Sequence, residues 1–112
     1  MTFERSSGIL LHPTSLPGKY GIGTLGKEAY DFIDFLIKSE QKLWQVCPLG
    51  PTGYGDSPYQ CFSAFAGNHL LIDFDILLTD NLLKQEDIDE NIVFSPLKVD
   101  YSRVIDFKSS IL

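Results

Sequence analysis

Apolar positions along the chain change their spacing several times, and each change predicts an element. Gly8-Ile9-Leu10-Leu11-His12 is a continuous apolar run closed by Pro13, which predicts a buried strand over 8–12. Farther on, Leu25, Ala29, Phe32, Ile33 and Leu36 recur at intervals of three and four, while Lys27, Glu28, Asp31, Asp34 and Lys38 fall largely on the other side. That spacing predicts an amphipathic helix over 25–39. Thr24 is its expected N-cap, although Lys27 stands where a capping box would carry Glu. Lys42-Leu43-Trp44-Gln45-Val46-Cys47-Pro48 then reads as a second strand, with Trp44 read as core rather than as a ligand platform. Strand, helix and strand make a βαβ unit of parallel strands with a right-handed crossover.

Past residue 48 the periodicity gives way to turn chemistry. Gly50, Gly53 and Gly55 permit positive φ and close backbone approach, and Pro48, Pro51 and Pro58 stiffen the chain between them. Tyr54 and Tyr59 add flat faces with hydroxyl tips, and Asp56 and Ser57 lie between them. Two readings fit: a loop built to hold a ligand, or a surface turn whose tyrosines pack on the core. Cys61–Ala66 reads as a short helical or irregular packed turn broken by Gly67-Asn68. Leu70-Leu71-Ile72 is a short apolar run, and Asp73 or Asp75 caps a helix holding Ile76 and Leu77 that stops at Asn81. Residues 84–91 read as an acidic, solvated helix or turn, and 93–112 alternate without a clear period. No internal repeat or low-complexity segment interrupts the chain.

Composition narrows the function classes. The chain has 112 residues, enough for one small domain, and 44% of them are hydrophobic, enough for a core. A net charge of −6 argues against nucleic acid and against an anionic membrane as partners. The first residues lack an apolar signal region, and no apolar run nears the roughly 20 residues that span a bilayer. A cytoplasmic location is expected. Cys47 and Cys61 flank the turn-rich loop and are expected as free thiols, Cys47 as a small buried hydrophobe. The histidines and cysteines lack metal-ligand spacing, so neither a metal nor another cofactor is expected. Gly21-Ile22-Gly23-Thr24-Leu25-Gly26 matches the dinucleotide fingerprint literally. It lies well downstream of its strand and no second strand carries an acid at the right place, so these glycines are expected to shape the entry into the helix.

Leu49-Gly50-Pro51-Thr52-Gly53-Tyr54-Gly55-Asp56-Ser57-Pro58-Tyr59-Gln60, followed by Phe62-Ser63-Ala64-Phe65-Ala66-Gly67-Asn68, resembles the N-terminal part of the 4-α-glucanotransferases, or amylomaltases. Gly8–Pro17 and Tyr20-Gly21-Ile22-Gly23 resemble the same family, with a weaker echo at Val99-Asp100-Tyr101. The resemblance implies an α/β fold, namely the N-terminal portion of a (β/α)₈ barrel: its first βαβ unit, over about 8–48, and the start of an inserted subdomain, over 69–112. The loop of 49–68 would then leave the carboxyl end of the second strand, on the face where such barrels carry their active sites.

The family implied transfers a segment of an α-1,4-glucan to the 4-hydroxyl of an acceptor sugar by a retaining mechanism, which needs a carboxylate nucleophile and a carboxyl acid/base. Asp56 is the only acid in the motif and has no carboxylate partner there, so no catalytic residue is assigned; it is expected to bind backbone amides of its own turn, with sugar contact as the alternative. By resemblance, Tyr59 packs on a glucose face and Ser57 bonds a sugar hydroxyl. Tyr54 stacks a glucan outside the cleft, with Tyr101 beside it, and His12 either points inward or ties loops together. The expected partners are α-1,4-glucans, maltooligosaccharides and the remainder of the same enzyme chain. A complete barrel takes about 250 residues, so this chain is expected to be one piece, inactive and prone to associate in isolation. A stand-alone glucan-binding module is the competing reading.

Overall fold

The computed structural model describes residues 2–112; the side chain of Tyr54 lies outside the described residues. Strand β1 (Gly8–Leu10) pairs in parallel with β2 (Leu43–Gln45), Ile9 opposite Trp44, and helix α1 (Lys27–Lys38) lies in the crossover between them. The architecture is α/β. Both strands are shorter than the apolar runs that predicted them. Pro13 starts a short 3₁₀ turn over Pro13–Ser15, and Pro48 has no amide hydrogen for a ladder. Ile9 and Trp44 are the half-buried residues of the sheet. Trp44 packs edge-on against Phe32 of α1, centroids 4.9 Å apart, and its Nε1 donates to the Leu11 carbonyl at 2.7 Å. Ala29 and Leu36 form the buried stripe of α1.

Two capping expectations resolve differently. Gly26, not Thr24, is the N-cap of α1; Thr24 is buried and donates its hydroxyl to Asp73 at 2.6 Å. Asp73, not Asp75, caps α2 (Phe74–Thr79), its Oδ1 accepting from the Ile76 amide at 3.0 Å. The helix closes through Asn81 at φ 58°, a left-handed conformation that asparagine tolerates.

The core lies mainly outside the βαβ unit. Helix α3 (Tyr101–Ile111) fills the stretch that showed no clear period, started by Asp100, whose carboxylate accepts from the Arg103 amide. Val104 of α3 packs with Ile22 and Leu70, and Phe107 with Phe74 and Ile88. Tyr20, Phe74, Phe94 and Phe107 surround that second cluster with ring centroids 5.2–6.2 Å apart. The 13–26 connection, α2 and α3 thus enclose one apolar interior. Leu70-Leu71-Ile72 belongs to a 3₁₀ turn over His69–Leu71, with Leu70 and Leu71 buried.

Candidate functional site

The turn-rich loop folds as a closed hairpin. Thr52 and Cys61 form an antiparallel bridge, Gly53 N donates to Gln60 O at 3.0 Å, and Phe62 N donates to Pro51 O at 3.3 Å. Gly55 and Asp56 take the left-handed region at the tip, φ 67° and 54°. Gly55 supplies that conformation without a Cβ penalty, whereas Asp56 is one of the few side chains that tolerate it. The Cys61 thiol donates to the Pro58 carbonyl at 2.9 Å, closing the second limb on itself. Residues 61–66 were expected as a packed turn; instead Phe62 and Phe65 stand in the open, Phe65 wholly exposed.

Tyr59 leaves this hairpin with its ring 75% exposed. Its hydroxyl accepts from the Cys47 thiol at 3.6 Å, a contact between the hairpin and the chain just past β2. When the sulfur carries charge the phenol becomes the donor to it, and this interaction with Cys47 raises the phenol pKa above its ordinary value. Cys47 is therefore half-buried and in contact with a site residue, rather than a buried hydrophobe; both cysteines are free. The Ser57 hydroxyl accepts from the Tyr59 amide at 3.3 Å, which fixes its oxygen and leaves its own proton to donate elsewhere. Asp56 departs from expectation: its amide donates to Gly53 O at 3.2 Å, but its carboxylate accepts no backbone amide among the described residues.

Two predicted residues, His12 and Tyr101, lie outside the hairpin. His12 ends the β1 segment, and its carbonyl accepts from the Ser15 amide at 2.9 Å. Burial lowers the His12 pKa, keeping the imidazole neutral at pH 7, and its Nδ1 is buried without a partner among the described residues. Tyr101, at the start of α3, donates its hydroxyl to Thr14 Oγ1 at 3.4 Å and packs on the Ile22–Leu70–Val104 cluster. The described contacts of Tyr101 are with Thr14 and the Ile22–Leu70–Val104 cluster; a pairing with the Tyr54 ring falls outside the described residues.

Two clefts border the region. An apolar one of about 410 Å³ opens at the hairpin base among Leu25, Leu49, Leu71 and Ile76, and a mixed one of about 600 Å³ lies between residues 14–22 and 95–99. Neither is lined by Tyr59, Ser57 or His12. Gly26 of the dinucleotide-like string is buried, and a Cβ there would stand 2.2 Å from Asp73 Oδ2. The Asp73 carboxylate therefore lies directly against Gly26 at the start of α1. Among the described residues no group of three or more His, Cys, Asp or Glu is placed to hold a metal, and no helix is long and apolar enough to cross a membrane. Cys47 was missed as a site contact because nothing in its local sequence indicates that Tyr59 folds back over it.

Comparison with known proteins places this arrangement. The family model described as 4-alpha-glucanotransferase matches residues 11–112. A 4-alpha-glucanotransferase from Synechocystis is 50% identical over 112 residues, all of this chain and 22% of the relative. One from Thermus thermophilus is 60% identical over 87 residues, covering 78% of this chain and 17% of its own. The structure of an amylomaltase from Streptococcus agalactiae in complex with acarbose superimposes with a TM-score of 0.85 at 52% identity, covering 92% of this chain and 21% of that one. The chain spans about a fifth of the length of these relatives. With its family model matched over most of its length and its fold shared at this identity, the chain belongs to the 4-α-glucanotransferase family.

Proposed function

We propose that this chain is the N-terminal segment of a 4-α-glucanotransferase that moves part of an α-1,4-glucan to the 4-hydroxyl of an acceptor sugar. The observation that carries the reading is an exposed tyrosine, Tyr59, held at the end of β2 on a closed hairpin, in a chain of this family. A flat aromatic face without charge suits the C–H-lined face of a pyranose, and the neighbouring Ser57 proton suits a sugar hydroxyl. The solved relative holds acarbose, a pseudo-oligosaccharide, which supports an oligosaccharide ligand here.

Transfer with retention needs two steps. A carboxylate attacks the anomeric carbon while a carboxylic acid protonates the departing glycosidic oxygen; the acceptor 4-hydroxyl then displaces the carboxylate, giving its proton to the same acid/base. Asp56 has no carboxylate partner in the hairpin, so both groups come from the remainder of the parent enzyme. This segment supplies position: Tyr59 and Ser57 grip the donor glucan, and neutral His12, just past β1, either faces the sugar or ties loops together. Tyr54 and Tyr101 extend glucan contact beyond it, and the segment without the rest is inactive. A cytoplasmic location is part of the same proposal, although a relative from Solanum tuberosum is described as chloroplastic/amyloplastic.

The full-length protein incubated with maltotriose tests the reaction. Both shorter and longer maltooligosaccharides are expected; products no longer than maltotriose would overturn transfer. In the same protein, Tyr59→Ala is expected to lower kcat/KM by about tenfold or more, since misplaced substrate costs that order of rate. The melting temperature stays unchanged, because the ring is exposed. A variant that melts several degrees lower with normal activity would make Tyr59 structural.

A further inference from the structure

Lys108 is fully buried on α3. Its Nζ donates to the main-chain carbonyls of Leu70 at 2.8 Å and Ile72 at 2.6 Å, and stands 4.9 Å from the centroid of the Phe74 ring. Between those two carbonyls, Leu71 O accepts from the Leu25 amide at 3.0 Å. Three successive carbonyls are thereby tied, two by an ammonium from α3 and one by the backbone before α1. Asn68 secures the near end of the same turn, its Oδ1 accepting from the Leu70 amide at 3.0 Å.

A lysine is an expensive way to fill this space. Burial pushes its pKa down to about 8, partly opposed by the Asp73 carboxylate, whose oxygens are already engaged by Thr24 and the Ile76 amide. Methionine would fill a similar volume without desolvating a charge. What methionine lacks is the grip on Leu70 and Ile72. That turn is where the chain re-enters the body after the hairpin. The limb before it, with Phe62 and Phe65 exposed, adds little packing of its own. The direction of the hairpin is therefore set at its two ends, by Cys47 beyond β2 and by residues 68–72.

We propose that Lys108 is a positioning residue for glucan binding: its grip on Leu70 and Ile72 fixes the hairpin's exit and so the direction in which Tyr59 presents its ring, a role that rests on Tyr59 being a sugar-binding side chain. The test is a double-mutant cycle in the full-length protein with maltotriose, using Lys108→Met and Tyr59→Ala. Lys108→Met is expected to lower kcat/KM about tenfold, chiefly by raising KM, and to cause no further loss once Tyr59 is alanine. Lys108→Gln, which keeps N–H donors, is expected to recover part of the loss. An equal factor lost in both backgrounds, or a lower melting temperature with unchanged KM, overturns the role. If Tyr59→Ala by itself is without effect, the sugar-binding reading of Tyr59 fails, and the lysine's role with it. If Tyr59→Ala is impaired but the two losses multiply, only the lysine's role fails. Where Lys108→Met does not fold, Lys108→Gln takes its place in the cycle and the same outcomes decide.

Discussion

Glu40 carries the chain out of α1 at φ 59°, a conformation more at home in glycine. The bonds around it are those of a Schellman ending: Gln41 N donates to Leu36 O at 2.9 Å and Glu40 N to Ile37 O at 3.0 Å. The backbone conformation is therefore needed and the side chain is not, since Glu40 is exposed. A Cβ in the left-handed region costs about 1 kcal/mol, part of which glycine returns as unfolded-state entropy. Glu40→Gly is expected to stabilise the full-length protein by about 0.5 kcal/mol, read as a higher unfolding midpoint. A lower midpoint would show that the glutamate does more than turn the chain. Asp56 at φ 54° is a different case, because it belongs to the tip that displays Ser57 and Tyr59.

Asp73 joins two elements that local sequence assigns separately. One oxygen caps α2 through the Ile76 amide, the other accepts the Thr24 hydroxyl, and its side chain lies against Gly26 at the start of α1. An ordinary N-cap is worth about 1 kcal/mol, and a buried hydroxyl left without its partner costs about 1–3 kcal/mol more. Asp73→Ala is expected to destabilise the full-length protein by about 2–4 kcal/mol, on the sum of those two terms. Asp73→Asn, which can still cap and still accept, should lose less than half of that. Equal losses for both variants in denaturant titrations would mean that the charge, not the hydrogen bonds, is what matters there.

The folded chain is loosely drawn in for its length. Its radius of gyration is 15.5 Å, against about 13 Å for a compact domain of around 100 residues. Each strand of a two-stranded sheet is an edge, and Leu10 and Leu43 expose the face turned from Trp44. On α1, Tyr30, Phe35 and Ile37 are exposed apolar side chains outside the Ala29–Leu36 stripe. Parallel strands are ordinarily covered on both faces. The 112-residue chain by itself is accordingly expected to self-associate in sedimentation experiments. A monodisperse monomer that unfolds cooperatively would contradict this and would favour the stand-alone binding module.

Local pattern was enough for the elements whose cause is local. Spacings of three and four from Leu25 to Leu36 marked α1, the runs at 8–12 and 42–48 marked β1 and β2, and Asp73 or Asp75 with Asn81 bounded α2, the fold choosing Asp73. The hairpin showed in its density of Gly and Pro, and its family in the motif that runs through it. Helix α3 was missed although Tyr101, Val104, Phe107 and Ile111 recur at three and four, because Lys108 shares their face and a charge reads as surface until its carbonyl partners are known. Thr24 looked like a cap for the same reason, its partner Asp73 being 49 positions away. Residue type and spacing determine which backbone conformations are cheap, so they fix periodic elements and turns. Contacts between distant segments depend on how those elements pack. Only the folded chain could set Cys47 against Tyr59, Tyr101 against Thr14 and Lys108 beneath Leu70 and Ile72.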